Sequence, residues 1–541
     1  MEQSQSNKFI KGTFILAVAG ALVKVMGALY RIPLYRILDD HGIGLFQAAY
    51  PIYNMMLSIS TAGVPVAVSK LVAEKLAKDN YQGARQVFRV SLWLMLATGL
   101  TATGVLLLGA NRYATDFLKA PGTYYSLVVI APSILFFAVK STFRGFFQGQ
   151  QTMIPTAISQ IVEQLIRVIT IFALASILVR QSVEMGAAGA AAGTVTGALV
   201  ALLLLIVIYG YKLPAYRKRE SLASHNTLLP TGKVIKEIFF LALPITIGSL
   251  ILPLVNVVDA TMIIPRLQSG GFLEEEAIRM FGNLTGAAMP LVGFPSLFTL
   301  ALGTALVPAI SNAYATGRKT QVRALTNLST RLGLMLGLPA AFGMFLLAKP
   351  ISIALFNNRA VADVLAMASF AIIFLTINQT TSPVLQGLGK TYLPVAHNFV
   401  GIFVKAGLTF TLTAIPSINI LGPVIGTIVN FLLVSILNIR AIVRLVGWGG
   451  STWSTFGKPL MNSLYMAVAV ALTSRFAQGF LLFQSEQWQA AFVVAIAIIV
   501  GVGVYGLATL YTGTITRREL EMIPRLGPKL TEILARLKIL R

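Results

Sequence analysis

The stretch "FQGQQTMIPTA" (147–157) returns, with one inserted residue, as "LQGLGKTYLPVA" (385–396). Both keep Gln-Gly and then Thr-x-Ile/Leu-Pro-x-Ala. Two more echoes flank this one: "GVPVAVS" (63–69) with "ALVPAIS" (305–311), and "GAAAGTVTG" (189–197) with "GPVIGTIVN" (422–430). In chain order the offsets are about 242, 239 and 233 residues. Self-similarity at a steady spacing is the mark of one structural unit used twice.

Each echo lies in or beside an apolar run. Fourteen such runs are predicted, the first near 9–38 and the last near 488–513, most of them about the 20 residues a bilayer requires. The matches fall on spans two, four/five and six of each set. Spans 1–6 and 7–12 are therefore two copies of one bundle. Six is an even number, so both copies enter the membrane in the same direction, as in parallel-repeat transporters. The predicted fold class is an all-α polytopic membrane protein with 14 transmembrane helices. The expected division is an N-lobe at 1–212, a cytoplasmic linker at 213–232, a C-lobe at 233–446, spans 13 and 14 within 447–513, and a tail at 514–541. A seam between two such lobes is a natural substrate path. "AVAGA" (17–21) resembles a signal-peptide cleavage site, but its helix is needed by the repeat and is expected to be retained.

Composition agrees. Of 541 residues, 56% are hydrophobic and 11% charged, with a mean hydropathy of +0.77, too little charge to coat a soluble protein of this size. Cysteine is absent, which excludes disulfides and thiolate chemistry; His41, His225 and His397 form no ligand-spaced set. The net charge of +24 is a topology signal. Lys and Arg number 28 in the segments alternating from the N-terminus and only 8 in the others, which places both termini in the cytoplasm. Nucleic acid is then unnecessary as a partner, since the charge faces anionic lipid. In the tail, Leu530, Ile533, Leu534, Leu537 and Leu540 share one face, as in a helix lying on the inner leaflet.

Nine ionisable residues remain within the spans or at their ends: Lys24, Arg31, Arg36, Lys140, Arg144, Glu163, Arg167, Asp259 and Lys405. Each costs about 2.5–3.5 kcal/mol at a lipid-facing helix centre, so most should face protein or water. Seven are positive, and such an excess calls for an anion. Lys24 and Arg31 share one face and are read as lining the cavity. Lys140 and Arg144, near the end of span four, are read as snorkelling to the interface. "SQIVEQLIRVI" (159–169) sets Gln160, Glu163, Gln164 and Arg167 on one face, with Glu163 and Arg167 spaced to pair as a structural ion pair or to touch substrate. Further polar positions are Gln47, Tyr50, Asn54, Ser58 and Thr61 on span two, Asn256 and Asp259 on span seven, Asn378, Ser382 and Gln386 on span ten, and Asn398 and Lys405 on span eleven. Stripes in both halves suit two lobes facing a wet cavity; interhelical glue, at roughly 0.6 kcal/mol per contact, is the plainer reading.

"GLGKT" (387–391) imitates a phosphate loop, but the pattern needs Gly where Val384 stands. No segment is long enough for a nucleotide-binding domain, so ATP is not an expected partner, and no catalytic site or cofactor is expected.

"FIKGTFILAVAGALVKVMGALYRIPL", "LSISTAGVPVAVSKLVAEK" and "STFRGFFQGQQTMIPTAISQIVEQLIRV" resemble the polysaccharide-biosynthesis branch of the multidrug/oligosaccharidyl-lipid/polysaccharide exporter superfamily. Within it, the chain is similar to the MurJ-like, YtgP-type lipid II flippases, with the spore-cortex SpoVB type as a sibling. The resemblance spans essentially the whole chain. It implies a monomeric flippase in a bacterial plasma membrane that carries undecaprenyl-pyrophosphate-linked peptidoglycan precursor to the outer leaflet by alternating access around a cationic cavity. Spans 13 and 14 would then hold the lipid tail. Family cavity arginines on the first helix map to Lys24 and Arg31, whereas the eighth-helix arginine meets an apolar region around Met289. A family cation site maps to Asp259 and Asn398, with Ile402 where a second carboxylate would stand. Coupling to the membrane potential or a monovalent cation is the remaining expectation. Another polyprenyl-linked oligosaccharide is the alternative cargo, and a drug/cation antiporter the more distant one.

Overall fold

The computed structural model describes residues 15–515 other than 17, 28, 224, 225 and 480–483. The expected inner-leaflet helix of the tail lies outside the described residues. Among those residues the chain is helical, with no strand. Among the described residues, thirteen stretches are long and apolar enough to cross a membrane. The first, Val18–Ala77, is 60 residues long. As one rod it would measure about 90 Å, three times a hydrocarbon core of about 30 Å. Asp39, at φ 54° and ψ −173°, breaks it where two helices meet.

The chain divides into two compact units after Gly282. The first contains α1 (Arg31–Thr61, preceded by helical residues 18–27), α2 (Val64–Ala77), α3 (Tyr81–Arg112), α4 (Thr123–Ile130), α5 (Pro132–Gly149), α6 (Ile154–Leu178), α7 (Val183–Leu222), α8 (Thr231–Ser269) and α9 (Glu274–Gly282). Local chemistry sets the starts. Pro155 occupies the first turn of α6, where its missing N–H costs nothing. Asn80 and Ser182 cap α3 and α7 by accepting the N–H groups of Gly83 (2.7 Å) and Met185 (3.2 Å). The core is aromatic at one end, where Phe88 lies 4.7 Å from Phe146 and 4.8 Å from Tyr209 between ring centroids. α7 runs past its expected end near 210 and carries "YRKRE" as helix. α8, expected to open the second lobe, packs within this first unit: the Gly63 N–H donates to Thr246 Oγ1 at 3.1 Å.

The second unit contains α10 (Ser296–Ala315), α11 (Lys319–Leu346), α12 (Ala348–Phe356), α13 (Val361–Ser369), α14 (Ala371–Gly387), α15 (Tyr392–Leu412), α16 (Leu421–Val446), α17 (Lys458–Gly479) and α18 (Glu486–Tyr511). α18 is tied to α11 by Tyr505, whose hydroxyl donates to the Met335 carbonyl at 2.9 Å, and Arg359 pairs with Glu486 at 2.5 Å.

The repeat reappears as packing. In unit one, α7 lies on α6 through a row of glycines. A Cβ at Gly193 would strike Ile171 and come within 2.7 Å of the Arg167 carbonyl; one at Gly197 would sit 2.6 Å from the Glu163 carbonyl. In unit two Gly426, the counterpart of Gly193, faces the Lys405 carbonyl and Thr409 Oγ1 at 3.1 Å. Asn430 replaces Gly197, and a glycine on the facing helix, Gly401, makes room for it. We expect Gly193→Ala to destabilise the protein by about 1–3 kcal/mol through overpacking. Gly104→Ala, with nothing within 4 Å, should be neutral or stabilising by up to about 1 kcal/mol. Thermal melting in detergent checks the pair; equal midpoints would contradict it.

Candidate functional site

α5 presents two basic side chains one turn apart, Lys140 and Arg144, and α6 presents one, Arg167. All three converge on Glu163. Lys140 Nζ donates to Glu163 Oε2 at 2.6 Å, and Arg144 Nη2 donates to the same oxygen at 2.9 Å. Arg167 Nη2 stands 3.7 Å from Oε1. Arg144 Nε also donates to Ser159 Oγ at 3.1 Å, and the Lys140 ammonium lies 3.5 Å from the centroid of the Phe137 ring. One carboxylate answers three cations, and the cluster carries a net charge of +2.

Access differs among its members. The Lys140 side chain is 1% exposed, whereas Arg144 and Arg167 keep 16% and 21%. The ammonium is sealed against Glu163, while the two arginine side chains are only partly covered, and the Arg167 Nε is enclosed without a hydrogen-bond partner. Sequence reading placed Lys140 and Arg144 at the interface as snorkelling residues; that expectation is corrected, since Glu163 holds both inward. The spacing of Glu163 and Arg167 does produce a contact, yet the two shorter bonds to the carboxylate come from α5.

Around the cluster, Gln164 is buried and Gln160 half-buried, its Oε1 enclosed without a partner. A Cβ at Gly27 would lie 3.7 Å from Gln164 Nε2, so the face of the first helix that carries Lys24 and Arg31 turns toward α6. Lys24 itself is exposed and Arg31 half-buried, with Tyr50 as an electrostatic neighbour. Tyr50 shares a 2.9 Å hydrogen bond with Thr194 and, with Tyr30 and Tyr53, borders Arg167. Gln47 and Asn54 are half-buried on the same helix; on α8, Asn256 is exposed and Asp259 half-buried with polar contacts of its own.

Unit two has a neutral counterpart. Lys140 and Arg144 correspond, 238 residues on, to Asn378 and Ser382. Ser382 Oγ donates to Asn378 Oδ1 at 2.7 Å, and Asn438 Nδ2 donates to Ser382 Oγ at 3.0 Å and Asn378 Oδ1 at 3.2 Å. His397 Nδ1 meets Asn438 Oδ1 at 2.7 Å. Asn438 was not singled out in the sequence, and His397 was read there only as no part of a metal-ligand set, because their pairing across two helices leaves no mark in either helix alone. Gln386 is exposed, outside this network, and Lys405 is half-buried on α15. Asn398 donates to the Pro394 carbonyl of its own helix at 2.7 Å. No group of three or more His, Asp or Glu able to hold a metal occurs among the described residues.

A family model described as polysaccharide biosynthesis protein matches residues 9–314, and one described as MatE matches 285–411. Stage V sporulation protein B of Bacillus subtilis is 30% identical over 440 residues, covering 81% of this chain and 84% of its own. Lipid II flippase MurJ of the same organism is 29% identical over 528 residues, covering 92% and 94%. A solved structure of lipid II flippase MurJ in an inward closed conformation superposes with a TM-score of 0.65 at 14% identity, covering 92% of this chain and 98% of that one.

Proposed function

The chain belongs to the polysaccharide biosynthesis protein family of membrane transporters, and from that premise we propose that it flips lipid II, the undecaprenyl-pyrophosphate-linked peptidoglycan precursor, from the inner to the outer leaflet. The observation that carries this reading is the convergence of Lys140, Arg144 and Arg167 on Glu163 alone. A net positive pair of charges inside an apolar helix bundle is costly until an anion balances it. The two partly open side chains are arginines, whose planar forks grip phosphate in pairs of parallel hydrogen bonds. Arg144 donates to one oxygen of the Glu163 carboxylate and Arg167 stands 3.7 Å from the other, so an arriving pyrophosphate would give Arg144 a further acceptor and Arg167 a nearer one. Lys140 stays behind as the fixed counter-ion of Glu163.

Pyrophosphate is common to all polyprenyl-linked sugars carried in this form, so the cluster recognises the linkage and the sugar is chosen elsewhere. Lipid II is the first choice because the relative that covers most of this chain among those named above flips it by name. Drug/cation exchange fits less well, since Glu163, the carboxylate at the centre of the cluster, is already saturated by cations. In this reading the protein works in a bacterial plasma membrane, and the distribution of Lys and Arg supports both chain ends lying inside.

The experiment is lipid II translocation by the purified full chain in liposomes, with other polyprenyl-linked sugars as competitors. Arg144→Gln and Arg167→Gln should each slow translocation by about 10- to 150-fold, the equivalent of losing a charged hydrogen bond worth roughly 1.5–3 kcal/mol. Wild-type rates in correctly folded variants, or no transport of any polyprenyl pyrophosphate by the wild type, would overturn the proposal. A competitor that displaces lipid II at lower concentration would reassign the sugar.

A further inference from the structure

In unit one, the groove between the start of α3 and the linker after α7 is filled by the chain itself. Asn80 Nδ2 donates to the Thr227 carbonyl at 2.8 Å, and the Gln82 N–H donates to Asn226 Oδ1 at 3.2 Å. The Leu229 N–H donates to Gln86 Oε1 at 3.0 Å, and Arg85 pairs with Glu220 at 3.2 Å. The repeat places Arg323 of α11 where Arg85 stands, 238 residues on.

The second copy of the groove is built differently. Arg323 Nε donates to the Val446 carbonyl at 2.5 Å. The linker "GWGGSTWST" (447–455) then turns through Gly447 and Gly450, at φ 79° and 102°. A Cβ at Gly449 would lie 2.6 Å from that of Arg323, so only glycine lets the linker pass. What remains beneath is a cavity of about 360 Å³ lined by Gln321, Asn327, Arg331, Ser451, Ser454 and Thr455. That volume is at the small end of ligand sites. Asn327 Oδ1 is enclosed and has no partner.

We propose that this cavity is a binding site for a phosphate ester that also carries a hydroxyl group. The Arg331 guanidinium and the hydroxyls of Ser451 and Ser454 suit phosphate oxygens, while the Thr455 hydroxyl donates to the Ser451 carbonyl at 3.3 Å. The Asn327 carbonyl oxygen needs a donor, which a neighbouring hydroxyl on the ligand supplies. Ala324, Leu325 and Leu328 form the apolar wall. Glycerol phosphate chemistry meets all of these needs, either as the headgroup of an anionic phospholipid or as a free compound. The charge count sets this end of α11, with Arg318, Lys319, Arg323 and Arg331, at the inner surface, where both sources occur. The site is separate from the Glu163 cluster and does not depend on the cargo assigned above.

Delipidated full-length protein tests the inference with two probes: phosphatidylglycerol scored by native mass spectrometry, and sn-glycerol 3-phosphate scored by the rise in melting temperature. Arg331→Gln should weaken binding of whichever probe is the ligand by about tenfold, as expected for one charged hydrogen bond. Arg331 has partners within the protein, so S451A/S454A serves as a second variant that leaves the charge in place and should weaken the same probe. Binding of the lipid alone identifies a headgroup site, and binding of the free ester alone a site for a soluble ligand. If neither probe binds the wild type, or both variants bind as the wild type does, the inference fails.

Discussion

Replacing Glu163 by Gln should destabilise the protein by about 3–5 kcal/mol, the usual consequence of stripping the partner from a buried charge. Three cations would be left facing one another, with Lys140 in the worst position at 1% side-chain exposure and no route to water. Arg144 would retain Ser159 as an acceptor, and Arg167 would relax toward accessible space. The burden therefore falls on the ammonium. This yields a sharper expectation than the single variant alone: Lys140→Met added to Glu163→Gln should recover at least half of the loss, because it removes the sealed charge and keeps its apolar stem. Lys140→Met by itself should be mild, since Glu163 still has two guanidinium partners. Melting midpoints of the four proteins in detergent form a double-mutant cycle. An additive cycle, or Glu163→Gln melting with the wild type, would mean the carboxylate is not the counter-ion of the cluster.

The same contacts show what could be read in the sequence. The polar face of α6 was legible, because Gln160, Glu163, Gln164 and Arg167 recur at helical spacing inside apolar surroundings. Of the partners of Glu163, Arg167 was legible from its i, i+4 spacing, but Lys140 and Arg144 were not. A basic residue near the end of a span has one sequence signature whether it snorkels or turns inward, and the choice depends on which helix stands opposite. Here Ser159 and Glu163 face α5, which no single-helix pattern reveals. A signal did exist: Lys140 and Arg144 are themselves one turn apart, as are Glu163 and Arg167. The repeat was legible down to its packing, since the glycines matched in sequence proved to be the positions of close helix contact. The functional asymmetry between the halves was hidden in the same alignment, with Lys140 and Arg144 falling on Asn378 and Ser382. Lys24 and Arg31 drew attention as mid-span cations, but the buried charge lies four helices further on.

With the proposed cargo, the net charge of the cluster decides which step of the cycle responds to the membrane potential. A pyrophosphate carrying about two negative charges, bound by a site of net +2, makes a loaded site that is electrically neutral. The outward step should then be indifferent to voltage. The emptied site carries two positive charges back toward the inner side, and an inside-negative potential assists that return by about 2.3 kcal/mol per charge per 100 mV. For two charges crossing the full field this is about 4.6 kcal/mol, or roughly 2,000-fold in the return equilibrium per 100 mV. The sequence alone suggested coupling to the membrane potential or a cation; with this cargo, the count of charges around Glu163 assigns the action of the potential to the return. In proteoliposomes with an imposed potassium gradient, single-turnover flipping should be unchanged by potential, while multiple-turnover flux rises steeply. Arg167→Gln reverses part of this pattern. Its site carries +1 and its loaded form −1, so single-turnover flipping becomes voltage-assisted by about 2.3 kcal/mol per 100 mV and the return loses half its drive. A wild type whose single turnover speeds up with potential as strongly as its steady state would show that the cargo charge travels unbalanced, and the three cations would then have to serve the fold rather than the passage.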